Sequence, residues 1–118
     1  MSTTLYDAAI VLRTLLQGVA EVEDRIYPIV ATEGTGYPYI VYQRTGVDMM
    51  QSKDGMEVES ATYDVSIVTG EYSEGLALVD RVIDLLNGNM AFAPGNVSES
   101  YVDDSYIQSI NCTYFVES

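Results

Sequence analysis

Between Met56 and Thr69 apolar and polar residues alternate. Ala61, Tyr63, Val65 and Ile67 fall on one side of an extended chain, and Thr62, Asp64 and Ser66 on the other. Successive side chains of a strand point to opposite faces, so this period of two over such a length predicts a strand with one apolar face. A strand of that kind needs neighbours for its backbone groups and a layer to cover the apolar side.

The neighbouring strands are legible on both sides of it. After Pro38, "YIVYQRT" offers Tyr39, Val41 and Gln43 to one face and Ile40, Tyr42 and Arg44 to the other. Its β-branched and aromatic residues suit a pleated, half-buried surface. Asp54-Gly55 is a turn signal, so the two runs read as a hairpin whose connection is the loop "VDMMQSKDG", Val47 to Gly55. Further upstream, Pro28 limits "RIYP" to a short edge-like strand, and "EGTG" (Glu33 to Gly36) reads as a turn. Downstream, Val97 to Val102 and Ile107 to Val116 are two more strand candidates, with Gln108, Ile110, Cys112, Tyr114 and Val116 on one face. "NMAFAPG" before them reads as a loop with an apolar middle.

The covering layer comes from two helices. Leu5, Ala8, Ala9, Leu12, Leu15 and Leu16 recur at helical spacing behind a capping pair, Thr4 and Asp7, and Gly18 supplies a stop. Ile10 and Val11 widen the apolar face, so this helix is expected to be buried on much of its circumference. The "EVED" segment, Glu21 to Asp24, reads as a solvated connection. In the second helix Ser73 is the expected cap, Leu76, Val79, Ile83 and Leu86 the inward stripe, and Asp80, Arg81 and Asp84 the wet side, with Asn87-Gly88 at the end. The order helix, strands, helix, strands predicts one α+β domain over residues 1–118: an antiparallel sheet with two helices packed on one face. A chain of 118 residues has material for one core of ordinary size.

Composition narrows the function. Five basic residues against 18 acidic ones give a formal charge of −13, which disfavours binding to a phosphate backbone, since that needs lysine and arginine to release counterions. No apolar run approaches the roughly 18 residues of a membrane span, and the start lacks the basic and small-residue features of a signal peptide. The expectation is a chain made and kept in a cytosol, with no membrane partner. The lone Cys112 has no partner for a disulfide, and "NVS" and "NCT" are taken as chance sequons.

The stretch from Arg25 to Gly46 carries four tyrosines. Alternating with valine and isoleucine, they read as strand positions where a ring packs and a hydroxyl stays wet. The competing reading is a stacking platform for single-stranded nucleic acid, which the charge disfavours.

Catalytic signatures are missing. The chain has no histidine, hence no serine or cysteine triad of the usual kind, and Cys112 has no basic neighbour in sequence to activate it. "GTG" at 34–36 lacks the third glycine and following helix of a dinucleotide fingerprint, and no phosphate-binding loop motif occurs. Carboxylates cluster at Glu21, Glu23 and Asp24, at Glu57 and Glu59, and at Asp103 and Asp104, but none has calcium-loop spacing. They read as a solvated acidic face. No catalytic, cofactor-binding or metal-binding residue is assigned, and no cofactor is expected. The segment singled out instead is the hairpin loop. Asp48, Met49, Met50, Lys53 and Asp54 are the candidate assembly contacts, because adaptable thioethers on a loop suit a contact surface.

The segments together resemble the small tail-completion, or tail-terminator-like, proteins of long-tailed bacteriophages and prophages. An N-terminal amphipathic helix leads to "RIYP" and "YPYIVYQR". A Gly-tipped hairpin follows, then "YDVSIVTGEY" running into "GLALVDRVIDLLNG", and a closing strand "IQSINCTYFV". The acidity departs from the family pattern. The resemblance implies a structural subunit, not an enzyme. It implies partnership with itself in a six-fold ring, with the tail-tube protein and with the head-connector protein, at the tail-head joint of a virion assembled in the bacterial host cytoplasm. DNA would pass through the lumen without specific binding. Two other readings belong to different classes: an acidic cytosolic protein-binding module that mimics nucleic acid, and a metal-dependent hydrolase using Glu57 and Glu59.

Overall fold

The computed structural model describes residues 4–52, 55–88 and 92–115; within these, the side chains of Thr4, Met50, Ser52, Met56 and Glu57 lie outside the description. In chain order the elements are helix α1 (Thr4–Leu16), a 3-10 turn (Ala20–Val22), strands β1 (Ile26–Pro28), β2 (Tyr39–Ser52) and β3 (Gly55–Thr69), helix α2 (Tyr72–Asn87), and strands β4 (Phe92–Val102) and β5 (Ser105–Phe115). The strands form one sheet in the order β1-β2-β3-β5-β4, so the alternating segment is the central strand. The α+β class and the order of elements are as the sequence predicts. The sheet is antiparallel except at β1, which pairs parallel with β2 through Ile26–Ile40, Tyr27–Val41 and Pro28–Tyr42. The chain between β1 and β2 includes the extended passage to Pro38, which lets the two run the same way. A tight hairpin could not.

One face of the sheet carries the core. Ile40 and Tyr42 of β2, Ala61, Tyr63, Val65 and Ile67 of β3, and Ile110 and Cys112 of β5 are buried against the helices. In α1, Ala8, Leu12 and Leu16 are fully buried. Each large aliphatic side chain so placed contributes about 1.5–3 kcal/mol relative to exposure. The predicted width of this helix is corrected at Ile10, which is 48% exposed, while Leu5, Val11 and Leu15 pack partly buried against the core. The Thr4 side chain lies outside the described residues, which leaves the expected capping pair without a description there. The "EVED" connection is also corrected. Val22 is fully buried in the 3-10 turn, pointing inward while Glu21, Glu23 and Asp24 stay wet.

In α2 the buried residues are Gly75, Leu78, Val79, Val82 and Leu86. Of the predicted inward stripe, Val79 and Leu86 are buried and Ile83 packs partly buried against the core, but Leu76 is 40% exposed and Leu78 and Val82 are buried, so the stripe is rotated toward Gly75. The Gly75 α-carbon sits so close to the sheet that an added Cβ would lie 3.1 Å from Thr69 Oγ1 and 3.4 Å from Gln108 Cγ. Glycine lets the helix start approach the Thr69 and Gln108 side chains at that point, so Gly75 faces the sheet together with Leu78, Val79 and Val82. The helix begins one residue before Ser73, with Glu71 at the N-cap and no side-chain cap hydrogen bond.

The last hairpin starts earlier than the sequence reading places it. Phe92 is buried and pairs with Tyr114, so the described part of "NMAFAPG" from Phe92 onward is strand; Asn89 to Ala91 lie outside the described residues, as does Val116. Val102 pairs with Ser105 across a two-residue turn in which Asp103 and Asp104 both have positive φ, 50° and 63°. That is the hairpin turn whose twist matches the strands, and aspartate tolerates it better than most residues.

Candidate assembly surfaces

Backbone groups at the two sides of the sheet define the first surface. On one side, β4 is an edge strand paired only with β5 and exposed along most of its length. On the other, β1 covers just Ile40 to Tyr42 of β2, and the amide of Ile29 extends this by donating to the carbonyl of Tyr42 at 2.8 Å. From Gln43 onward no strand among the described residues lies along that side of β2. The sheet therefore ends in two unlike open edges, both longer than a short blunted edge strand would be.

The predicted contact loop is corrected. Val47 to Ser52 continue β2 and pair with β3 through Val47–Ala61, Asp48–Ser60, Met49–Val58, Met50–Glu57, Gln51–Met56 and Ser52–Gly55. The register shift between Arg44 and Gly46 inserts Thr45 into β2 and breaks its alternation just ahead of this segment, and the shift opposite Asp48 and Met49 inserts Glu59 into β3. A bulge puts two residues opposite one, and the period of two is lost while the hydrogen-bonded ladder continues. Of the named contacts, Asp48 is exposed and accepts a hydrogen bond from Ser60 Oγ at 3.3 Å, and Met49 is 50% exposed. Met50 lies in the strand, its side chain outside the description; Lys53 and Asp54 lie outside the described residues. The result is a two-stranded arm extending from the core, and the long axis of the molecule is 51 Å against 27 and 23 Å for the others.

Tyr27, Tyr37 and Tyr39 pack on one another. Tyr37 and Tyr39 stack with centroids 6.2 Å apart, Tyr27 meets Tyr39 edge-on at 6.5 Å, and Tyr42 is buried in the core. The Tyr37 hydroxyl lies 2.5 Å from Ser105 Oγ, joining the approach to β2 with the start of β5. Burial pushes the Tyr39 hydroxyl above its ordinary pKa, with Tyr37 adding to the effect. Beside this stack, on the sheet face away from the helices, the loop from Ile29 to Thr35 flanks a shallow groove floored by Tyr39, Val41 and Ile107. Ile29 and Val30 on its rim are 68% and 73% exposed.

A second aromatic group was not foreseen in the sequence. Tyr106 meets Tyr72 edge-on at 5.8 Å and Tyr101 in a tilted geometry at 4.8 Å between centroids. Glu99 lies among them. Its carboxylate accepts from the Tyr72 hydroxyl at 2.9 and 3.2 Å and from Gln108 Nε2 at 3.0 Å. These donors, Gln108 first and Tyr72 second, hold the Glu99 carboxyl below the usual range, and the same bond raises Tyr72. The residues line an open cleft of about 260 Å³. The signal that could have found it is the register of the last hairpin. A two-residue turn at Asp103-Asp104 sets Tyr101 opposite Tyr106 and Glu99 opposite Gln108.

Cys112 is fully buried, and burial, with Asp64 adding to it, pushes its thiol up to about 12. The folded protein is therefore expected to resist alkylation by iodoacetamide at pH 8 and to react when unfolded in urea, because only the thiolate attacks. Equal labelling rates in both states, followed by mass spectrometry, would contradict this burial. Among the described residues no three His, Cys, Asp or Glu side chains group closely enough to hold a metal ion. Glu59 is exposed, and the Glu57 side chain lies outside the description. Glu21 is turned toward Arg81 in an ion pair that links the 3-10 turn to α2. Among the described residues no helix is long and apolar enough to cross a membrane. No family model matches the chain, and no curated protein matches it.

Proposed function

We propose that the chain is a structural subunit of a phage head-tail joint, of the tail-completion kind, and that copies of it close a ring at the head-proximal end of a tail tube. The observation that carries this reading is the pair of unlike open edges. β2 runs antiparallel to β3, β3 to β5 and β5 to β4, so β4 of one copy laid along the free part of β2 of the next would meet it in the antiparallel sense. Such a contact joins different patches on each partner and propagates head to tail, closing into a ring when the rotation permits. Main-chain hydrogen bonds of this kind supply affinity without dedicated pockets. The β2–β3 arm then reaches beyond the sheet toward the tube or connector.

The −13 charge of each subunit opposes association, and salt or a divalent cation would relieve it. Carboxylates facing a lumen would also let DNA slide through without sticking.

The test is electron microscopy of the purified protein in magnesium buffer. Closed rings of uniform size support the reading; open filaments or dispersed monomers under every ionic condition, together with failure to cap purified tail tubes, contradict it. The arm has its own test. Replacing Met49, which is 50% exposed, by serine is expected to shift the urea midpoint by less than about 0.5 kcal/mol equivalent, in the range of surface substitutions, while weakening assembly. Unchanged assembly by sedimentation would remove the arm from the interface.

A further inference from the structure

The tyrosine-walled cleft at the start of α2 is unlike the rest of the surface, because three aromatic rings converge there on one ionised carboxylate. Tyr72 and Tyr101 are 44% and 57% exposed, and Tyr106 stands between them. Gln108, only 3% exposed, forms the base and aims its amide at Glu99. The carboxylate is thus fixed from below by a buried donor and from the side by the Tyr72 hydroxyl.

Aromatic faces carry negative potential and attract cations, guanidinium more often than ammonium. A carboxylate beside such faces supplies a charge-assisted hydrogen bond, strongest with a planar fork. Anions are repelled here, and a neutral apolar group would take water from the exposed carboxylate without offsetting its charge. The opening of about 260 Å³ has room for one side chain, not for a nucleotide or a drug-sized ligand.

We propose that this cleft receives an arginine side chain of a partner protein, with the guanidinium stacked against Tyr106 and Tyr101 and hydrogen-bonded to Glu99. The occupant comes from elsewhere because the chain's own arginines are placed at other positions, Arg44 opposite Tyr63 of β3 and the other three engaged. Arg13 donates to the carbonyl of Ile26, Arg25 to that of Pro38, and Arg81 pairs with Glu21. Charge complementarity points the same way, since an acidic surface steers basic partners toward it. The site stands whether or not the chain forms rings.

The experiment is a nuclear magnetic resonance titration of the full chain with N-acetyl-arginine methylamide, and with the matching citrulline and lysine derivatives. Citrulline keeps the shape and hydrogen-bonding plane but removes the charge. The arginine derivative is expected to give saturable shifts confined to Tyr72, Tyr101, Tyr106 and the Gln108 amide. Affinity is expected to fall about tenfold or more for citrulline and in Glu99→Gln, a variant of an exposed residue whose fold is checked by its unchanged spectrum elsewhere. Shifts spread over the acidic surface, or equal for citrulline, or untouched by Glu99→Gln, overturn the site. Lysine binding as tightly as arginine overturns the assignment of the occupant.

Discussion

Replacing Ile110 by alanine is expected to destabilise the fold by about 2–5 kcal/mol, whereas Leu76→Ala is expected to cost about 0.5 kcal/mol or less. Ile110 sits on β5, fully buried, paired with Val65 of the central strand and Val97 of β4. Removing its outer carbons leaves a void that neighbours on a close-packed sheet cannot collapse to fill. Leu76 belongs to the stripe that helical periodicity assigns inward, yet it is 40% exposed while Gly75 faces the sheet. The two substitutions together distinguish the observed helix orientation from the one periodicity suggests. Urea unfolding monitored by circular dichroism measures both. Similar large losses for the two variants would mean that α2 is rotated from the orientation described here.

The second large effect concerns the β4 edge. Along an antiparallel edge strand, amides of successive residues point alternately to the paired neighbour and to the open side. Proline at two adjacent positions, Val97→Pro and Ser98→Pro, therefore strikes the ladder with β5 in one variant and the free edge in the other. The inward substitution removes a donor from β5 and is expected to destabilise the fold by about 1–3 kcal/mol. The outward one should leave the urea midpoint nearly unchanged but weaken assembly about tenfold or more, because proline cannot donate to an added strand. If both variants fold and assemble like the parent chain, β4 is not an interface.

Much of the architecture is legible before any coordinates. The alternation from Ala61 to Ile67 gives the central strand, and Leu12 and Leu16 give the buried side of α1. The parts that sequence misplaces share a physical cause, in that local pattern was overridden by a contact distant in the chain. The extra residue Thr45 interrupts the alternation of β2 ahead of Met49, and Gly75 against Thr69 goes with Leu78 and Val82 in the core and Leu76 at the surface. Phe92 looks like part of a loop because proline and glycine follow it, yet pairing with Tyr114 makes it strand. Assembly surfaces are legible only in part. Asp48 and Met49, singled out from composition, are exposed, but the open edges are a property of strand order. The tyrosine cleft depends on cross-strand register, which no single segment encodes.

The central claim is that copies of this subunit close upon themselves, and its most direct test is the solution mass by light scattering after size exclusion, across protein concentration, with and without magnesium. The account predicts a single oligomer on the order of six times the 13.0 kDa chain, favoured by magnesium or higher salt and not growing further with concentration. A mass that stays at one chain under all these conditions, or one that climbs without limit as concentration rises, would contradict ring closure.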